Sequence, residues 1–337
     1  MDWDGGQTVE QRQRSESVDL PLVLAGLDAT DSTTRREAVQ TVRDGVESEP
    51  GTYVPTVPKL RELLREPEFE LREAVAYSLA ELAVEAPSDV APSADALVAV
   101  AAENPDAPAT GELLRCLAAV AAERPTALAD HVPELVDVTE VRDGDEWGAR
   151  TLAHVSRARP EALEPALGLL TETLASEPSD DAVPALSVLG RLARSETDLS
   201  SLAFVEHAID LLECDDQELR RNAIGCLADV AHRRPAAVEP ACSQVRTALE
   251  SDDPKTRANA AVTIGRVAAA DPSVVEPVRS RLLELLEDDH QYVRANACIA
   301  LGHGNVTEAR DRLSTLATGD PEPTVRDRAA WACSELS

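Results

Sequence analysis

The histidines and cysteines are the side chains most able to bind a metal ion or act as nucleophiles, but their spacing predicts neither. Histidines occur at positions 131, 154, 207, 232, 290 and 303, and no two form an HxxxH or HxH pair. Cysteines occur at 116, 214, 226, 242, 298 and 333, without a CxxC pair. We therefore expect no metal site, no cofactor and no disulfide framework. The cysteines should be small buried side chains in a reducing compartment.

Catalytic motifs are likewise absent from the sequence. It contains neither a glycine-rich phosphate loop before a helix nor a G-x-S-x-G turn. The 62 acidic residues are so numerous that no single carboxylate pair stands out. These observations predict a protein that is not an enzyme.

Arginines form the pattern that does suggest chemistry. The segment 148–159 holds Arg150, Arg157 and Arg159 and no acidic residue, although Lys plus Arg number only 32 in the chain and its net charge is −30. A guanidinium group binds carboxylates and phosphates through paired hydrogen bonds. An anionic ligand is therefore the chemistry that this segment predicts.

These arginines belong to a repeat that runs along most of the chain. Alignment on one apolar position gives Val42, Leu79, Leu117, Leu152, Leu189, Leu227, Ile264, Leu301 and Cys333, at intervals of 37, 38, 35, 37, 38, 37, 37 and 32 residues. A period in this range is typical of solenoids, in which each unit buries its apolar face against its neighbours. Apolar residues at three- and four-residue steps, as in 275–286 and 293–301, predict two helices per unit.

A second column, seven residues earlier, holds an arginine in most repeats. Its members are Arg35, Arg72, Thr110, Asp145, Ala182, Arg220, Arg257, Arg294 and Arg326. An acidic turn suited to helix capping, such as 288–289, precedes it in most units. We expect the arginines to bond these carboxylates within or between repeats and so form a ladder along the array.

The segment 288–302, with its acidic turn, Val-Arg pair and following Ala and Leu-Gly, resembles the signature of HEAT repeats. The resemblance covers about residues 20–337, and the short last junction at 302–309 is similar to the repeat form found in bilin lyases. It implies an all-α fold, an α-α superhelix of about nine helical hairpins. The superhelix would be right-handed, with the first helices on the convex side and the second helices on the concave side.

If the second helices line the concave side, three columns near the aligned position face outward there, and they become basic in the middle repeats. They supply the candidate partner-binding residues Arg115, Arg150, His154, Arg157, Arg191, Arg194 and Arg266. The alternative is that these arginines pair with carboxylates of adjacent repeats or simply keep the helix surfaces soluble.

The function predicted on this basis is a non-enzymatic scaffold or adaptor that binds a protein. The bound group would be an acidic segment, a C-terminal carboxylate or a phosphorylated segment of the partner. One alternative is a lyase-like or other enzyme-accessory HEAT protein. A nucleic-acid-binding protein is a less favoured alternative, because a net charge of −30 opposes phosphate binding and only 2% of residues are aromatic.

Terminal sequence and composition predict a cytoplasmic protein. Residues 1–17 are polar and are expected to form a disordered tail before the solenoid at 18–337. They contain no signal-peptide core, and no run approaches the ~18 apolar residues of a membrane span.

The charge pattern itself resembles that of proteins from salt-accumulating archaea. Only Lys59 and Lys255 are lysines, so the other 30 basic residues are arginines. An ordinary acidic protein from a high-GC genome is the alternative explanation.

If the protein is adapted to salt, its stability should rise with salt concentration. Repulsion among the carboxylates is screened over about 10 Å at 0.1 M salt and about 3 Å at 1 M. We expect a higher melting temperature in ~2 M than in ~0.1 M KCl. Identical melting temperatures would contradict the salt-adaptation hypothesis.

Overall fold

The computed structural model describes residues 18–66, 70–176 and 182–336. Over these ranges the chain is helical and contains no β-strand. The predicted disordered tail, 1–17, lies outside the described residues. We number eighteen helices α1–α18, so that odd numbers denote the first helix of each hairpin and even numbers the second.

The second helices are continuous α-helices. They are α2 (Ser32–Val46), α4 (Arg72–Glu85), α6 (Pro108–Glu123), α8 (Glu146–Ala158), α10 (Ala182–Arg194), α12 (Gln217–Arg233), α14 (Pro254–Ala268), α16 (Gln291–His303) and α18 (Pro323–Glu335).

The first helices are shorter or interrupted, and each except α1 includes a 3-10 turn. They are α1 (Leu20–Leu27), α3 (50–64), α5 (87–103), α7 (125–141), α9 (160–175), α11 (204–213), α13 (235–248), α15 (272–285) and α17 (307–319). The nine hairpins predicted from the repeat period are thereby confirmed over the described residues.

Local sequence explains where these helices begin. Asp31, Asp216 and Asp253 each cap a second helix by accepting hydrogen bonds from backbone N–H groups of its first turn. Proline begins several first helices, because the backbone N–H at that position has no partner within the helix and its absence costs nothing. A second proline often follows five residues later in the 3-10 turn, as with Pro160 and Pro165. Proline thus marks the beginning of several first helices, and a capping aspartate marks the beginning of several second helices.

The core is a continuous layer between the helices. The aligned apolar residues of the first eight repeats are fully buried: Val42, Leu79, Leu117, Leu152, Leu189, Leu227, Ile264 and Leu301. Neighbouring second helices pack against one another along most of their length, whereas neighbouring first helices meet over a smaller surface. The closer spacing of the second helices places them on the concave side of the superhelix.

Buried cysteines occupy positions in this core. Cys116, Cys226 and Cys298 are buried as expected, whereas Cys214, Cys242 and Cys333 are only half-buried. The Cys116 thiol donates to the Leu79 carbonyl of the preceding repeat at 3.4 Å. Burial raises the pKa of Cys116 to about 12, so the thiol stays protonated and acts as a small apolar group.

The arginine column forms contacts between repeats. Arg257 donates from Nε and Nη2 to the Asp288 carboxylate at 2.8 and 3.1 Å, and Arg294 donates in the same way to Asp320 at 2.7 and 3.0 Å. The remaining nitrogen, Nη1, donates back to a turn carbonyl of its own repeat, for Arg257 that of Ser251 at 2.7 Å. These two guanidinium groups therefore connect a turn of their own repeat to the next repeat. Three other arginines of the column donate, among the described residues, only to turn carbonyls of their own repeats; they are Arg72, Arg220 and Arg326.

In repeats three and four, other side chains occupy the column position at which most repeats have arginine. Thr110 donates its hydroxyl to the Asn104 carbonyl at 2.7 Å, six residues back, which is the same spacing that Arg294 uses for Asp288. In repeat four, Asp145 instead accepts from the N–H groups of Trp147 and Gly148. Gly148 is required there because a Cβ would lie 2.1 Å from Thr139 Oγ1.

We predict that Arg294→Ala destabilises the array more than Arg35→Ala. The Arg294–Asp320 pair is almost fully buried, with side-chain exposures of 11% and 3%, whereas the Glu66 partner of Arg35 is 49% exposed. Loss of hydrogen bonds to a buried carboxylate should lower the free energy of unfolding by about 2–3 kcal/mol, while an exposed pair contributes about 1 kcal/mol or less. Urea unfolding of the two variants measures this difference, and equal losses would contradict the proposed role of burial.

Candidate functional site

A groove of about 530 Å³ opens on the concave side among α10, α12, α14 and α16. Its floor contains Gly225, Ala258 and Val262, small or apolar residues at the middle of the second helices. Its walls are polar and charged. The groove therefore spans four repeats and is formed by residues that the repeat places at equivalent positions.

The walls carry an excess of positive charge. Five cationic side chains line the groove against one carboxylate, that of Asp229; the cations are Arg191, Arg194, Arg221, Lys255 and Arg266. This balance is opposite in sign to that of the chain, whose net charge is −30. The lining is thus positive on a negative protein, although one of the five cations, Arg221, pairs with Glu218 just outside the lining at 3.3 Å.

Asp229 lies between two of the groove arginines. Its Oδ1 is 3.5 Å from Arg194 Nη1 and 3.7 Å from Arg266 Nη1. Burial raises the pKa of Asp229, and the two guanidinium groups oppose that shift. Arg266 also donates to the Ala228 carbonyl. A single carboxylate is therefore shared by two arginines, neither of which it contacts at the short distance seen for Arg294 and Asp320.

Two further arginines form no ion pair with a carboxylate of the described residues. Arg191 Nη1 donates to Ser156 Oγ at 3.0 Å, and Arg157 Nη1 lies 3.0 Å from His154 Nδ1. Burial lowers the pKa of Arg191, and the positive charge of Arg157 lowers it further. The same two causes lower the pKa of His154, with Arg150 adding to them. Arg157, Arg191 and His154 are therefore close together here, and neither arginine has a carboxylate partner among the described residues.

The other two candidate arginines are held by contacts to their surroundings. Arg115 pairs with Glu81 and Glu112, each at 2.8 Å, and lies over the Tyr77 ring. Arg150 pairs with Glu146 one turn earlier and stacks 4.7 Å from the Trp147 ring.

The structure thus divides the seven sequence-predicted site residues into three sets. Arg191, Arg194 and Arg266 line the groove. Arg157 lies near Arg191, and His154 contacts Arg157; both are on α8, the second helix of the repeat before the groove. Arg115 pairs with Glu81 of the preceding repeat, and Arg150 pairs with Glu146 of its own helix.

Several groove residues were missed by the sequence analysis. Arg221 and Lys255 add charge, and Tyr292 is 57% exposed at the edge. Three asparagines also line the groove: Asn222, Asn259 and Asn296. They recur every 37 residues, and this spacing in the sequence could have indicated that they form a row on one surface. The side-chain amides of Asn222 and Asn296 donate to backbone carbonyls at 2.8 Å. The side-chain amide of Asn259 has no hydrogen-bond partner among the described residues.

Comparison with known proteins supports the fold. The family model described as HEAT repeats matches residues 205–284 and 280–337, so the resemblance to HEAT repeats is confirmed in that part of the chain. No curated protein matches the sequence. One similar solved structure is a crystal structure of an engineered protein, 21% identical, covering 93% of this chain and 87% of that chain with a TM-score of 0.78. At this identity the likeness shows the fold alone.

None of the described helices has the length and apolar composition needed to cross a bilayer.

The crowding of charge beside the groove can be measured at His154. We predict that Arg157→Ala raises the pKa of His154, because it removes the nearest positive charge from the imidazole. Histidine NMR titration of the wild type and the variant gives both values. Arg246→Ala, an exposed arginine on α13, is the control and should leave the pKa unchanged. An unchanged His154 pKa in Arg157→Ala would contradict the arrangement described above.

Proposed function

We propose that this protein is a non-enzymatic scaffold or adaptor that binds a partner protein through an acidic segment seated in the concave groove. The observation that carries the proposal is the charge of the groove, in which five cations face one carboxylate within a chain of net charge −30. Complementary charge of this kind selects a partner and orients it.

A protein partner suits the groove better than a nucleic acid. Binding of a nucleic acid requires many phosphate contacts over an extended positive surface, and the rest of this chain would repel such a polyanion. The amides of Asn222, Asn259 and Asn296 provide both donors and acceptors, which match the N–H and C=O groups of a peptide main chain. A short acidic peptide can occupy the positive groove without meeting the acidic surface around it.

The chemistry of the lining favours binding over catalysis. Burial strongly raises the pKa of Cys226, so its thiol is a poor nucleophile. The Asp229 carboxylate is engaged by Arg194 and Arg266. The remaining charged groups in the groove are cationic donors, which are suited to holding an anion.

Affinity capture with matched variants tests this function. The groove variant combines Arg157→Ala, Arg191→Ala and Arg194→Ala, and the control combines Arg65→Ala, Arg246→Ala and Arg310→Ala, exposed residues of α13 and α17 and of the turn after α3. Both triple variants remove three positive charges. We expect wild type and control to capture the same main partner from the native host, and the groove variant to lose it at least tenfold.

Unchanged melting temperatures would establish that both triple variants are folded. Capture by the groove variant at the wild-type level would contradict the proposal, because the partner would then bind elsewhere. Loss of capture in both variants would contradict it too, since total charge and not the groove would govern binding.

A further inference from the structure

We propose that the end of the groove formed by Arg157, Arg191, Arg194 and Arg266 is a binding site for the phosphate group of a phosphorylated serine or threonine in the partner. This inference rests on the proposed function and specifies the chemistry that the groove recognises. The four residues are called the arginine cluster below.

The charge balance of the arginine cluster favours a dianion. Four guanidinium groups face Asp229 alone, which leaves a local charge of about +3. A bound carboxylate contributes one negative charge, whereas a phosphoserine or phosphothreonine contributes about 1.5 to 2 at pH 7. The phosphate therefore compensates more of the repulsion that Arg157 exerts on Arg191.

The arginines of the cluster form fewer hydrogen bonds within the protein than Arg257 and Arg294 at the turns between repeats. Arg257 and Arg294 each form two hydrogen bonds to one aspartate and at least one more to a turn carbonyl. By contrast, Arg191 donates to one side chain, the uncharged Ser156 hydroxyl, and Arg194 has one long contact of 3.5 Å to Asp229. The cluster thus retains N–H groups that can donate to a ligand.

The geometry of a phosphate suits these unused donors. A phosphomonoester presents three terminal oxygens, so several arginines can each donate to a different oxygen or pair of oxygens. Arg191 is half-buried and Arg194 is 57% exposed, so the cluster combines a partly buried donor with an exposed one. A carboxylate offers only two oxygens to the same set.

The rest of the groove indicates that the phosphate is attached to a peptide. Asn222, Asn259 and Asn296 continue the floor away from the cluster, with Lys255 and the exposed Tyr292 ring at the far side. The asparagines can contact the main chain of a peptide, Lys255 can contact an acidic residue next to the phosphorylated one, and Tyr292 can contact an apolar side chain. Free phosphate would leave all of them unused.

Binding of synthetic peptides provides the test. Three fluorescent nonapeptide mixtures have degenerate flanks rich in Glu, and their central residue is phosphoserine, glutamate or serine. Fluorescence anisotropy gives the affinity of the full chain for each mixture, and inorganic phosphate is titrated as a competitor. We expect the phosphoserine mixture to bind at least tenfold more tightly than the glutamate mixture, and the glutamate mixture more tightly than the serine mixture.

Variants distinguish a phosphate site from general attraction. Arg191→Lys keeps the charge but loses the planar fork, so it should reduce the preference for phosphoserine at least fivefold while changing glutamate binding less. Arg246→Ala, the exposed control, should bind all three mixtures as the wild type does. A phosphoserine preference that survives Arg191→Lys, or that falls equally in Arg246→Ala, would overturn the assignment to the cluster.

Each other outcome separates this inference from the proposed function. Equal affinity for phosphoserine and glutamate mixtures would overturn the phosphate site and leave a groove for acidic peptides. Equal affinity for all three would overturn both. Competition by inorganic phosphate at the concentration at which the phosphoserine mixture itself binds would show a site for free phosphate, and it would overturn the peptide part of the inference.

Discussion

Stacking of each hairpin on the next is the constraint on which this structure depends. One hairpin cannot bury the apolar faces of two helices by itself, so the buried column from Val42 to Leu301 is completed only by neighbouring repeats. Stacking also aligns equivalent positions of successive second helices side by side. Any residue type that recurs at one repeat position therefore becomes a row across the concave surface. The groove is a consequence of this alignment, since its asparagines and arginines come from several repeats that are far apart in sequence.

Arginine has two distinct roles in the molecule, and its partners separate them. At the turns, Arg257 and Arg294 meet aspartates of the next repeat with both hydrogen bonds made, and the pairs are largely buried. In the groove, the arginines outnumber the carboxylates, and burial together with the nearby charge of Arg157 lowers the pKa of Arg191. The first arrangement connects neighbouring repeats, and loss of the arginine would leave a buried carboxylate without its partner. The second leaves donors unused, which is the arrangement expected of a binding site.

Much of the fold could be predicted from the sequence because the repeat encodes it locally. The period predicted nine hairpins, the acidic turns predicted helix caps, and the arginine column predicted hydrogen bonds between repeats. The candidate site was only partly predictable. Whether an arginine is paired depends on a neighbour about one repeat away: Arg115 meets Glu81, whereas Arg191 meets only Ser156. Arg221 and Lys255 were missed since they lie near the beginning of their helices, outside the columns considered.

The most direct test of the central claim, that the concave groove is the partner-binding surface, is to locate a bound acidic phosphopeptide by cross-linking. A peptide with a photoreactive group beside its phosphoserine is irradiated with the full chain, and mass spectrometry identifies the attached residues. The account predicts attachment to the second helices α8, α10, α12 and α14, around Arg157, Arg191 and Arg266. Attachment to the first helices, or at equal levels along the whole array, would contradict it.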